Sequence, residues 1–85
     1  MSYKITLEKA AEKYLRRQDR DAQERLLKTI KGLPPSVGVK KLTGLAGYFR
    51  VHVGDVRIIF TINEVAHSVN VVAIGARGQV YKDLD

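Results

Sequence analysis

Tyr3, Ile5 and Leu7 alternate with Lys4 and Thr6, and this period of two predicts a short strand over residues 3–7. The period then changes. Leu7, Ala10, Ala11, Tyr14 and Leu15 fall on one stripe of a helix, and Glu8, Lys9, Glu12, Lys13, Arg16 and Arg17 occupy its other faces. A second helix is expected after a cap at Asp19 or Asp21, with Ala22, Leu26, Leu27, Ile30 and Leu33 facing inward and Pro34-Pro35 ending it. Only a few residues separate the two helices, so they should form an antiparallel hairpin.

Residues 34–47 hold both prolines and three of the seven glycines, and read as a connecting loop with a short extended piece around Val39 to Leu42. The remainder is rich in strand formers, with strands predicted at Tyr48 to Val53, Val56 to Ile62 and Ser68 to Ile74. Gly54-Asp55 separates the first two by the length of a hairpin turn, and glycine at the first central position suits type II′. That turn sets a register in which Val53 meets Val56 and His52 meets Arg57. Phe49, Val51, Val53, Ile58, Phe60 and Ile62 then share the core face, leaving Tyr48, Arg50, His52, Arg57, Ile59 and Thr61 on an uncovered face. In the third strand, Val69, Val71 and Ala73 alternate with Asn70, Val72 and Ile74, and Gly75 and Gly78 around Arg77 predict a sharp exit. Gln79 to Lys82 reads as a last short strand or an ordered tail. The expected class is α+β: an N-terminal strand and a helical hairpin packed on a mostly antiparallel sheet of four or five strands, in a single domain spanning residues 1–85.

Composition narrows the chemistry. With 85 residues and no cysteine, one apolar core must supply the stability, without disulfides. No apolar run approaches the roughly 20 residues of a membrane span, and the N-terminus lacks a signal-peptide pattern, so a cytoplasmic protein is expected. Fifteen Lys and Arg against nine Asp and Glu give a net charge of +6, which favours a polyanionic or acidic partner. Residues 1–31 mix nine basic with five acidic side chains, as a solvated helical surface does. Residues 40–57 instead carry Lys40, Lys41, Arg50 and Arg57 against Asp55 alone.

The sequence has no Ser-His-Asp set, phosphate-cradling glycine loop or metal-ligand cluster, so neither a metal nor any other cofactor is expected. What stands out is Arg50, Arg57 and Arg77, the imidazole of His52, and the phenols Tyr48 and Tyr81. This set suits cleavage of RNA through its own 2′-hydroxyl, which needs a base, cations around the phosphorane and a proton donor. Cationic neighbours disfavour the imidazolium, leaving His52 able to accept a proton. His67 sits in a turn and reads as bland. Lys9, Lys13, Arg16, Arg17 and Arg20 read first as a solvated face that adds affinity for a large polyanion such as RNA, with Lys40, Lys41 and Tyr48 as further contacts.

ITLEKAAEKYLRR, then VKKLTGLAGYFRVHVGDVRIIFTI, then VVAIGARGQVY, in this order, resemble a RelE-type toxin of the RelE/ParE superfamily, the toxic half of a type II toxin–antitoxin pair. The resemblance runs from Tyr3 to Tyr81. It implies a microbial-ribonuclease-like fold, cleavage of mRNA in the ribosomal A site, and a RelB-like antitoxin that neutralises the toxin in a hetero-oligomer. Arg50 matches the first basic strand residue, His52 stands where a second lysine is often found, and Arg57 matches the arginine after the hairpin turn. Arg77 and Tyr81 match the arginine after Ile-Gly and the C-terminal tyrosine. The resemblance makes Arg57 and Arg77 phosphorane stabilisers, Arg77 also a proton donor, and Tyr81 a base-stacking group. Histidine for lysine and a chain ending at Asp85, without the C-terminal helix of some relatives, are departures. The alternatives are a ParE-like DNA gyrase inhibitor without nuclease activity, and an inactive binding module.

Overall fold

The computed structural model describes residues 3–34, 40–41 and 47–76. Their order is β1 (Lys4–Leu7), α1 (Lys9–Arg16), α2 (Arg20–Lys31), β2 (Lys40–Lys41), β3 (Tyr48–Val53), β4 (Val56–Asn63) and β5 (Ser68–Ala76). The strands form one sheet in the order β1-β5-β4-β3-β2, with β1 parallel to β5 and every other pairing antiparallel. The two helices cover one face of it, α1 against β5 and α2 against β3. This is the expected α+β arrangement.

Leu7 does not open the first helix. It ends β1, paired with Val71, and α1 begins at Lys9 with Glu8 as its N-cap residue. A strand-to-helix change needs a residue with extended backbone, and Glu8 supplies it while its N–H donates to the Val71 carbonyl at 2.9 Å. Ala11 and Leu15 form the buried stripe of α1, and Ala10, expected inside, is exposed. In α2, Asp19 is the cap, accepting from the Ala22 N–H at 2.8 Å. Leu26, Ile30 and Leu33 point inward, whereas Leu27, expected with them, is exposed, because it lies about 100° around the helix from Leu26. Asp19→Ala is expected to cost about 1 kcal/mol, read as a lower denaturation midpoint at unchanged slope.

The β3–β4 hairpin has the predicted register, with Val53 opposite Val56, His52 opposite Arg57 and Phe49 opposite Phe60. Gly54 takes φ +61, while Asp55 keeps a negative φ, as a type II′ turn requires. The Phe49 and Phe60 rings stack in the core with centroids 5.9 Å apart.

Strict alternation fails in β5. Ile59 pairs with Ala73 but Phe60 pairs with Val71, so Val72 is an extra residue in the ladder. Such a bulge reverses the facing of everything beyond it. Ile74 therefore joins Val69 and Val71 in the core cluster, and Ala73 and Gly75 turn to the opposite face. The strand also runs through Gly75 to Ala76, two residues past its expected end at Ile74, and the expected exit around Arg77 lies outside the described residues. Nor is the helix-free face bare, since Ile59 and Ala73 on it are fully buried. The possible last strand at Gln79 to Lys82 lies outside the described residues.

At the other end of the sheet, the Tyr3 ring stacks on His67 at 3.9 Å, and its hydroxyl donates to Glu64 Oε1 at 2.5 Å. That hydrogen bond, helped by partial desolvation, raises the Tyr3 phenol above its ordinary value, so it stays protonated well into the alkaline range. His67 takes φ +53 in this turn and is structural, as its position in the sequence implies.

Candidate active site

Three side chains from the predicted set meet on the helix-free face of β3 and β4. A two-residue turn makes Val53 and Val56 a hydrogen-bonded pair, which makes His52 and Arg57 a non-hydrogen-bonded one. Side chains stand closest in such a pair, with Cβ atoms roughly 4.5–5.5 Å apart. Arg50 lies two residues along β3, opposite Ile59. Arg50 and Arg57 are half-buried and His52 is exposed, so the guanidiniums rest against the sheet while the imidazole reaches solvent.

His52, Gly54, Asp55 and Arg57 line a pocket of about 230 Å³ at this end of the hairpin. Asp55 is a neighbour that turn chemistry alone conceals: chosen by the hairpin for its backbone, it brings a carboxylate beside the cations. On its other side Arg57 faces Gly75, and Ile59 stands between Arg50 on β3 and Ala73 on β5. The bulge at Val72 thus sets the smallest residues of β5, Ala73 and Gly75, on the arginine face, where both are buried.

Between Gly47 and Ala76 the acids are Asp55 and Glu64, and Glu64 is engaged with Tyr3 at the far edge. The hairpin end is therefore positive, with two forked donor arrays suited to phosphate oxygens and one imidazole able to exchange a proton. Among the described residues no cluster of three or more His, Asp or Glu side chains is placed to hold a metal ion.

The other predicted contacts are distributed differently. Lys9, Lys13, Arg16, Arg17 and Arg20 are exposed on α1 and at the start of α2. Arg16 pairs with Glu12 at 2.6 Å and Arg20 with Glu24 at 3.7 Å, which offsets part of that charge. Larger concavities along α1 and α2 are shallow and lined by both signs of charge, for example Asp21, Glu24, Arg25 and Lys28. Lys40 and Lys41 pair in register with Arg50 and Phe49. Tyr48 is half-buried opposite Thr61. Arg77 and Tyr81 lie outside the described residues. No helix among the described residues is long and apolar enough to cross a membrane.

A helical hairpin on a mixed five-stranded sheet, with a cationic hairpin on the helix-free face, is the arrangement in which the family match of this chain, to a type II toxin of the RelE/ParE superfamily, has to be read. Residues 5–81 match the family described as the ParE toxin of the type II toxin–antitoxin system parDE, and the chain belongs to that family. No curated protein sequence matches it significantly. Solved structures of similar fold include a chain of the toxin–antitoxin complex RelBE2 from Mycobacterium tuberculosis, at TM-score 0.79 and 20% identity over 91% of this chain and 93% of that one. The isolated RelE toxin of E. coli superposes at TM-score 0.75 and 20% identity, over 98% of this chain and 95% of that one. A chain of the archaeal RelE–RelB complex from Pyrococcus horikoshii OT3 gives 0.71 and 22%, over 93% and 99%. At these identities the likeness is one of fold.

Proposed function

We propose that this toxin is a metal-independent endoribonuclease that cleaves mRNA in the ribosomal A site, and that a RelB-like antitoxin holds it inactive. The observation that carries the reading is the grouping of Arg50, His52 and Arg57 on one face of the β3–β4 hairpin. In the reaction the 2′-oxygen forms a bond to phosphorus as the bond to the 5′-oxygen breaks. His52 takes the 2′-hydroxyl proton, and the departing 5′-oxygen receives a proton from Arg77. Arg50 and Arg57 bind the non-bridging oxygens, whose charge grows in the phosphorane, and preorganised donors of this kind supply the largest catalytic contribution. Tyr81 stacks on a base beside the scissile phosphate. The RelE–RelB complexes of similar fold support a RelB-like antitoxin as the neutralising partner, and the net charge of +6 favours an acidic segment of it. The action on ribosomes makes the cytoplasm its place of work.

If His52 is the base, cleavage by the wild type falls as the pH drops through the range where histidine ordinarily titrates, because protonation removes the acceptor. His52→Gln is expected to lose rate and to flatten that limb between about pH 5 and 8. An unaltered profile makes His52 a positioning residue.

The match to the ParE family favours a second reading, inhibition of DNA gyrase by binding. Purified protein added separately to mRNA-programmed ribosomes and to gyrase with plasmid separates the two. Message cleavage with unaffected supercoiling supports the nuclease, and the converse result supports the gyrase inhibitor.

A further inference from the structure

The helix-free face does not end with the cations. Thr61 stands four residues along β4 from Arg57, about 13 Å away at the usual rise of a strand. Its register partners are Tyr48 on β3 and Asn70 on β5, and Asn70 in turn faces Thr6 on β1. A row of polar side chains, Tyr48, Thr61, Asn70 and Thr6, therefore crosses four strands, alongside the His52–Arg57–Gly75 row and separated from it by Ile59 and Ala73.

The centre of this row is held in one orientation. Thr6 Oγ1 donates to Asn70 Oδ1 at 2.9 Å, and Asn70 Nδ2 donates to Glu8 Oε2 at 2.6 Å. A carboxylate accepts only, so the nitrogen must face Glu8, and flipping the amide would lose the bond to Glu8 and set two acceptors against each other. A carboxamide carries two N–H donors and two oxygen lone pairs, and among the described residues Thr6 and Glu8 engage one of each. A fixed donor beside a fixed acceptor is what reading a base edge requires, and adenine offers the complementary pair on both its Watson–Crick and Hoogsteen edges. Tyr48 adds a half-buried aromatic ring on the same face, suited to stacking on that base. An acidic peptide would not use such an arrangement, because the carboxylate of Glu8 borders it.

We propose that Tyr48, Thr61 and Asn70 form a base-reading subsite that takes an adenine of the RNA strand whose phosphate lies at Arg57, a couple of extended nucleotides from the cut. The proposal rests on the nuclease reading. Its competitor is a purely structural one, in which Asn70 only ties β1 and the start of α1 to β5.

The test maps cleavage ends on a library of translated messages randomised around the cut, using wild type, Asn70→Ser, Thr61→Val and Glu8→Ala, each checked by thermal melting. The wild type is expected to enrich adenine at one fixed position relative to the cut. Asn70→Ser should lower that enrichment at least about fivefold, the lower end of what a two-bond base contact contributes, while cutting continues. Thr61→Val keeps the branched shape and strand preference, and should lower it too, so the test stands even if Asn70→Ser unfolds. A tie that is structural alone makes Glu8→Ala and Asn70→Ser equally less stable without altering sequence preference. Unchanged enrichment in folded variants overturns the subsite and leaves the nuclease standing; absence of wild-type cuts overturns both.

Discussion

Arg57→Ala is expected to lower the rate of message cleavage by at least about a hundredfold, the loss that follows removal of one preorganised donor to a developing oxyanion. Arg57 sits on the free face of a central strand, between His52 on one side and Gly75 on the other. Its neighbours in sequence, Val56 and Ile58, face the core and remain in place, so the fold should survive. Arg57→Lys should recover only part of the activity, because an ammonium supplies the charge without the two-pronged geometry. Single-site cleavage rates beside melting curves measure both effects. Wild-type rates in a well-folded Arg57→Ala, Arg77→Ala double variant would sink the site assignment.

Phe60→Ala is expected to have the largest effect on stability. Phe60 is fully buried at the centre of the sheet, stacked on Phe49 and packed within the cluster that α1 and α2 close. Removing a buried phenylalanine costs about 3–5 kcal/mol, because the lost transfer energy is compounded by the cavity left behind. A domain of this size holds only about 5–15 kcal/mol in total, so a fall in melting temperature of more than about 12 °C is expected. Leu27→Ala provides the contrast, since the exposed position of Leu27 predicts a change within about 1 kcal/mol. Comparable losses in the two variants would contradict the observed packing.

The hairpin was fully legible because its determinants are local: a two-residue turn sets the register, and the register sets which side chains share a face. Arg50, His52 and Arg57 could therefore be grouped from spacing alone. The bulge in β5 was not legible, since it lies in the pairing of β5 with β4, and nothing in Val71-Val72-Ala73 marks which residue will be the extra one. For the same reason Ala73 and Ile74 exchange the faces that alternation assigns them. Leu27 was misplaced because an apolar residue on a helix satisfies a helical pattern whether or not a sheet covers that side. Asn70 carries no signal in the sequence either: its role depends on Thr6 and Glu8, more than 60 residues distant along the chain. Arg77 and Tyr81 stand out in the sequence by residue type, whereas their roles beside the hairpin come from the resemblance alone.

The most direct measurement of the central claim is a map of new 5′ ends on one message during brief expression in bacteria, beside the same message lacking its start codon. The nuclease account predicts cuts in the reading frame that vanish when translation is prevented. Growth arrest without new ends would contradict it and point to gyrase.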